Sequence, residues 1–501
     1  MSEKLAELKE RLGVVHHLDM AGALLDWDQQ VNMPPGGGAA RAAQGATLAR
    51  LRHEMFTSDE TARLLEAATA ESAGLPYDST DASLLRVARR DLDQARKLPT
   101  EFVSRLSEAC SLGQGIWARA RATNDFAAFR PTLEKLVEMK IEEANYRGYT
   151  DHPYDALIEQ FEPGMTTAEI TRIFEEHRPA LVELIAAIGK RADRVSDAVL
   201  RQELDLDAQR KFGLALIKEI GYDFERGRQD VSVHPFATHF SRDDVRITTR
   251  FQKDHLNPAL FGMFHEAGHA MYEQGVGADL GGTLLESGTS LGVHESQSRL
   301  WENIVGRSRG FWKWALPQLK AQFPAQFGQV DADAFYRAIN KVTPSLIRVE
   351  ADEATYNLHI MVRFGLETEL LTGKLKVADL PRAWNDRFEA MLGVRPKTDA
   401  EGCLQDVHWS AGYLGYFPTY ALGNLLSAQY YRKAVADHPS IPAEIEQGKF
   451  STLLAWLQAN IHRHGRKFTS DELTRRVTGE PIQSRDYLKY LTTKFGEVYG
   501  L

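Results

Sequence analysis

Two cysteines in 501 residues, Cys110 and Cys403, are too few for a disulfide framework, and they point to a reducing compartment, the cytoplasm. No run approaches the roughly 20 apolar residues that span a bilayer. The N-terminal Met1-Ser2-Glu3-Lys4 opens a charged amphipathic segment, where a secretory leader would show an apolar stretch and a cleavage site. Basic blocks are missing as well, and 60 Lys and Arg against 69 Asp and Glu leave a net charge of −9. That balance argues against nucleic acid and against a membrane surface as partners. There is no internal repeat and no low-complexity linker. The triple glycine Gly36-Gly37-Gly38 lacks the Gly-Lys-Ser/Thr ending of a phosphate loop and reads as a turn. With 26% charged and 43% hydrophobic residues, the chain is an ordinary globular one. Its length alone suggests about three domains or one large helical body.

What is present is mostly helix. Leu5, Leu8 and Leu12 share one helical face, and Leu133, Leu136, Met139 and Ile141 recur at mostly three-and-four spacing over residues 132–146. Glu162-Pro163-Gly164 followed by Thr166-Thr167-Ala168-Glu169 reads as a turn into a capped helix. Over residues 230–251 the rhythm moves towards period two: Val231 and Val233 alternate, as do Val245, Ile247 and Thr249. That pattern predicts a small β-hairpin or sheet, with Asp244, Arg246 and Thr248 on one side as a solvated polar face.

The one compositional oddity is histidine. Six of sixteen (His234, His239, His255, His265, His269 and His294) fall within residues 234–294, where an even spread would put about two. Between Asn257, read as a cap, and Gly275 runs a helical segment carrying His265-Glu266-Ala267-Gly268-His269. Four residues turn a helix by about 400°, so both imidazoles lie on one face, a turn apart, and can share a metal ion. Glu266, beside the first of them, can then serve as general base towards a water activated by the metal. Chance alone gives such a motif in roughly one chain of this histidine content in thirty. Here it is also helical and flanked by apolar residues.

A hydrolytic zinc site takes a third protein ligand. Tyr272 and Gly275 stand where the metzincin extension would need a glycine and a histidine, so the ligand comes from elsewhere. A helix starting at Ser287-Gly288-Thr289-Ser290 offers His294 and Glu295, about 100° apart, of which one can face the ion. Spacing does not choose between them; Glu286 and Glu302 are weaker candidates.

In this order the motifs resemble the carboxypeptidase Taq family of metallocarboxypeptidases: His234-Pro235-Phe236, Asp244-Val245-Arg246-Ile247-Thr248, His265-Glu266-Ala267-Gly268-His269, His294-Glu295-Ser296-Gln297, Ile347-Arg348-Val349-Glu350-Ala351-Asp352 and Gly402-Cys403-Leu404-Gln405-Asp406-Val407-His408-Trp409. The early Leu25-Asp26-Trp27-Asp28-Gln29-Gln30 with Met33-Pro34-Pro35 also looks like the family's N-terminal region. The resemblance implies that Glu295 is the third ligand and that His294 supports it. It implies a mainly α, neurolysin-like, two-lobed helical body with a deep central cleft and a small β-sheet near the active site, residues 1–501 forming one catalytic domain. It further implies a homodimer holding one divalent metal per chain, zinc or cobalt, that releases single residues from peptide C-termini.

Recognition of a free carboxylate suits arginine's planar fork. The resemblance makes Arg348 the candidate, with Arg246 in reserve and His234 near the substrate's terminal end. The structural alternative for Arg348 is an ion pair with Asp352, four residues on along the same helix. His408 and Tyr420 are the candidate donors to the oxyanion, although rings in the aromatic stretch Tyr413–Tyr420 also suit a core. An edge strand around residues 244–249 could align the peptide backbone by strand addition. Two rival readings remain: a metallo-oligopeptidase cutting internally, and a helical binding protein without catalysis.

Overall fold

The computed structural model describes residues 3–501. They are mainly helical, with one three-stranded sheet, and no helix among them is long and apolar enough to cross a membrane. Contacts divide the chain into two compact units. The first runs through Arg96 and takes in Asp197–Ile339 and Tyr430–Glu480; the second holds Lys97–Ser196, Asn340–Gln429 and Pro481–Leu501.

In the first unit, helix α1 (Glu3–Val31) buries the predicted face of Leu5, Leu8 and Leu12 together with Val15. These side chains share a core with Phe56, Leu65 and Leu84 and with Val276, Leu280 and Leu285, which follow the histidine motif. The period-two segment forms three strands, β1 (Gln229–Val231), β2 (Ala237–Ser241) and β3 (Asp244–Thr249). Their order is β1-β3-β2, with β1 parallel and β2 antiparallel to β3. This corrects the sequence expectation twice. β3 is central, its ladder shared by both neighbours, so residues 244–249 have no open side for an added strand; β1 and β2 are the edges. Nor is its polar face wholly solvated: the Asp244 side chain is 41% exposed, but Thr248 is fully buried, and Arg246 donates its Nε and Nη2 to Asp244 with its guanidinium 4.3 Å from the Trp27 ring.

Two helices carry the motifs that follow. In the second unit lie α2 (Phe126–Arg147), α3 (Thr167–Gly189) and α6 (Tyr356–Leu371); in the first, α4 (Leu256–Gln274) and α5 (Leu291–Arg299). The capped helix at Thr166–Glu169 is realised as a full capping box on α3. α4 starts one residue before the expected cap: His255, not Asn257, is its N-cap, and Gly275 is its C-cap. α5 begins after Ser290, whose hydroxyl accepts from the Val293 amide, so residues 287–289 lie outside it. After Arg299 the helix widens into a π-turn over Leu300–Val305, which re-aims the side chains that follow.

α4 and α5 pack closely because Gly268 has no side chain. A Cβ there would meet Ser298 Cα at 2.6 Å and the Gln297 carbonyl oxygen at 2.7 Å, both backbone atoms that cannot swing aside. Gly268→Ala is therefore expected to push α5 off α4 and to lower stability by about 1–3 kcal/mol. Denaturant titration checks this; an unchanged unfolding midpoint would show that the contact yields freely.

Candidate metal centre and active site

α4 is buried on most of its circumference, and His265 and His269 fall, one turn apart, on its single partly accessible stripe. α5 brings Glu295 across to them. Its Oε2 stands 3.5 Å from His265 Nε2 and 3.3 Å from His269 Nε2, and one donor atom from each of the three residues falls within 4.8 Å of the others. Donors held at zinc-type distances by one tetrahedral ion stand about 3.4 Å apart. Both Nδ1 atoms are turned away, towards Glu302 for His265 (3.0 Å) and towards His294 for His269 (2.6 Å), which leaves the Nε2 lone pairs facing Glu295. Two imidazoles and a carboxylate in this disposition fit a divalent metal.

Spacing left His294 and Glu295 open as the third donor. In the structure Glu295 faces the histidine pair, whereas His294 turns its Nε2 to Glu273 at 2.7 Å. The two weaker candidates are engaged elsewhere. Glu302, in the π-turn, takes His265 Nδ1, Arg299 Nη1 and Arg307 Nη2. Glu286 accepts from the Arg242 and Gly282 amides and lies 3.3 Å from His16 Nε2.

Glu266 is buried beside His265, and its carboxyl is pushed up to about 7: burial raises it, and the charges on Glu295 and Glu302 add to the rise. Burial also disfavours ionised Glu302 and Glu273, yet both are held near 2, Glu302 by Arg299 and His265 and Glu273 by His239 and His294. Burial drops His269 to about 4, so this imidazole is neutral at physiological pH and its lone pair is available.

The other predicted residues distribute unevenly. Arg246, in reserve for the terminal carboxylate, spends its fork on Asp244. His234 lies between β1 and β2 with its side chain exposed. His239, which had no assigned role, sits 3.6 Å from Glu273. Arg348, His408 and Tyr420 belong to the second unit. The alternative Arg348–Asp352 pair does not form, because the chain is not one helix there. Residues Arg348–Glu350 make a 3-10 turn, α6 starts at Tyr356, and Asp352 caps the intervening segment by accepting from the Thr343, Ala354 and Thr355 amides.

Arg348 instead donates its Nε to Asp406 (3.0 Å) and its Nη1 to the Tyr356 hydroxyl (2.9 Å). Asp406 is shared with Arg363, whose Nε donates at 2.7 Å. Gln405 accepts from both the Arg348 amide and Arg363 Nη2. One carboxylate thus balances two guanidiniums whose side chains are 6% and 0% exposed, and the cluster keeps one excess positive charge. Although burial opposes it, that pairing holds Asp406 well below the usual carboxylate range. His408 Nε2 stands 3.5 Å from the Tyr420 hydroxyl, and the Arg348 guanidinium lies 5.0 Å over the Tyr420 ring. Burial and then the Arg348 charge depress His408 to about 4. Motif spacing had quoted Gln405 and Asp406 without a role; Arg363, Tyr356 and Glu273 escaped it, although Glu273 repeats the four-residue spacing of His265 and His269. Asp406→Asn leaves two buried guanidiniums facing each other without a counter-charge. It should cost about 3–5 kcal/mol in a denaturant titration, and a loss under 1 kcal/mol would mean that water compensates the pair.

The sequence matches the family model of the carboxypeptidase Taq (M32) metallopeptidases over residues 7–495. Thermostable carboxypeptidase 1 of Thermus thermophilus is 41% identical over 495 residues, spanning 97% of this chain and 96% of its own. Carboxypeptidase 1 of Bacillus subtilis is 37% identical, over 99% and 98% of the two chains. The crystal structure of the M32 carboxypeptidase from Deinococcus radiodurans R1 matches with a TM-score of 0.97 at 43% identity, covering 100% of both chains. Agreement of this extent places the chain in the carboxypeptidase Taq (M32) family, and the protein is a metallopeptidase.

Proposed function

We propose that this metallocarboxypeptidase releases single residues from free peptide C-termini with one divalent ion held by His265, His269 and Glu295, and that Glu266 is its general base. The observation that carries the reading is the cluster of three donors within 4.8 Å, with the buried Glu266 next to the first of them, in a chain whose relatives are named carboxypeptidases. The donor set, two nitrogens and a carboxylate oxygen, suits zinc, and cobalt as a substitute. A bound ion supplies a lowered water pKa and a polarised scissile carbonyl.

This chain's own residues do the rest. Glu266 takes the proton of the attacking water and hands it to the leaving amine. Arg348 receives the terminal carboxylate with the excess positive charge it shares with Arg363 over Asp406. Arg246 stays in reserve because Asp244 already balances its charge one to one. His408 and Tyr420, within 3.5 Å of each other, donate to the oxyanion, and His234 lies towards the terminal residue. β2, at one edge of the sheet, aligns the peptide backbone. On the family resemblance, residues 1–501 act as one catalytic domain. On that resemblance alone the reading extends to a homodimer, and the free thiols of Cys110 and Cys403 suit a cytoplasmic setting.

Digestion of a mixed peptide pool, free or C-terminally amidated, with products sequenced by mass spectrometry, tests the activity. Free peptides should shorten one residue at a time and amidated ones should persist. Chelation should stop the reaction and added zinc restore it, while Glu266→Gln should lose about 10²–10⁴-fold in turnover. Internal fragments from amidated peptides would favour an oligopeptidase, and no metal-dependent hydrolysis would favour a binding protein. A second outcome follows from the protonation of Glu266. It acts ionised, so the rate falls as pH drops through its pKa; without metal that value is about 7, and a neighbouring dication favours the carboxylate. The acidic limb of kcat/KM should therefore lie below pH 7, and a limb above 7 would exclude Glu266 as the base.

A further inference from the structure

The two histidine donors are backed differently. His265 Nδ1 meets the Glu302 carboxylate directly at 3.0 Å. His269 Nδ1 meets a second imidazole, His294 Nδ1, at 2.6 Å, and that ring's Nε2 meets Glu273 Oε1 at 2.7 Å. Glu273 is on α4, one turn beyond His269, so the chain of contacts leaves the helix, passes through α5 and returns. The same carboxylate oxygen also accepts from the Ser287 hydroxyl and the Gly288 amide, each at 3.3 Å. Gly288 closes over the His294 ring: a Cβ there would reach His294 Cδ2 at 2.7 Å, while Tyr272 packs against the ring with centroids 5.2 Å apart.

We propose that Glu273 is a positioning residue that fixes the tautomer and orientation of His269 through His294. The inference rests on His269 being a ligand through Nε2. An ionised carboxylate only accepts, so His294 must carry its proton on Nε2 and present a lone pair at Nδ1. His269 must then carry its own proton on Nδ1, which frees Nε2 for the ion. The opposite assignment sets a nitrogen lone pair against a carboxylate oxygen at 2.7 Å and turns an N–H towards the donor cluster. Partners of this kind typically tune metal affinity by about 10–100-fold. The imidazole spacer explains why His294, adjacent to Glu295, faces away from the donor cluster.

Zinc affinity of the full-length, metal-stripped protein, measured by competition with a chromophoric chelator, tests this without reference to turnover. Glu273→Gln keeps an oxygen for Ser287 and Gly288 and removes the charge; affinity should fall about tenfold. His294→Phe keeps a ring and removes both nitrogens, and should cost about 10–100-fold. His294→Gln, whose oxygen can accept from His269 and whose amide can donate to Glu273, should stay within about threefold of wild type. Adding Glu273→Gln to the His294→Phe protein should cost no more than about twofold further. Equal losses from Glu273→Gln in both backgrounds would overturn the relay, since Glu273 would then serve only the 287–288 loop. If Glu273→Gln does not fold, the pair at 294 decides: equal affinities for the Gln and Phe variants overturn the proposal. His269→Ala separates the premise from the inference. Wild-type zinc binding in that variant rejects the ligand set and the relay with it. Lost binding, together with equal Gln and Phe variants at 294, rejects the relay alone.

Discussion

The candidate metal centre depends on one close contact, the backbone of α5 seated against Gly268 of α4. Two turns of α4 put His265 and His269 on one face, but the third donor arrives only because α5 comes near enough for Glu295 to stand 3.5 and 3.3 Å from the two imidazoles. A methyl group at position 268 would occupy that space. The glycine inside the motif thus sets the interhelical distance, and the polar residues around it are chosen for what that distance allows.

Close approach gathers charge, and the structure shows how it is contained. Glu295, Glu273 and Glu266 are buried around the donor cluster and Glu302 is mostly so, and four carboxylates without partners would be untenable there. Arg299 and Arg307 neutralise Glu302, and Arg299 also reaches Glu295 at 2.7 Å. Imidazoles hold Glu273. Of the four, Glu266 alone has neither an arginine nor an imidazole hydrogen-bonded to it, and its carboxyl is the one raised to about 7. The residue next to the first donor is therefore the one whose proton moves most readily near neutrality, as general-base work requires. In the second unit the arithmetic is inverted, two guanidiniums over one carboxylate, and the surplus is positive.

Much of this was legible along the chain. Helical periodicity located α1 and its buried Leu5, Leu8 and Leu12, Thr166 and Glu169 announced a capping box, and the period-two stretch marked the sheet. The sheet's order was not legible, because alternation records which side chains face inward and nothing about which strands are neighbours. β3 consequently proved central where an edge was expected. Arg348 shows the same limit: spacing suggested Asp352, but the helix needed for that pairing does not exist, and Asp406, 58 residues away, takes the guanidinium.

By itself, then, the sequence determined the local terms: the helix that carries His265 and His269, the carboxyl of Glu266 beside them, and the resemblance that assigned Glu295 and Arg348. Those follow from spacing along one element, where a 3.6-residue turn decides which side chains are adjacent. Tertiary structure decided everything that joins separate elements. It turned Glu295 inward and His294 outward from two neighbouring positions on α5, gave Glu302 to His265 and Glu273 to His294, and balanced Arg348 and Arg363 on Asp406. Hydrogen bonds between distant segments carry no periodic mark, so they become visible only when packing fixes the distances over which charges and lone pairs must be matched.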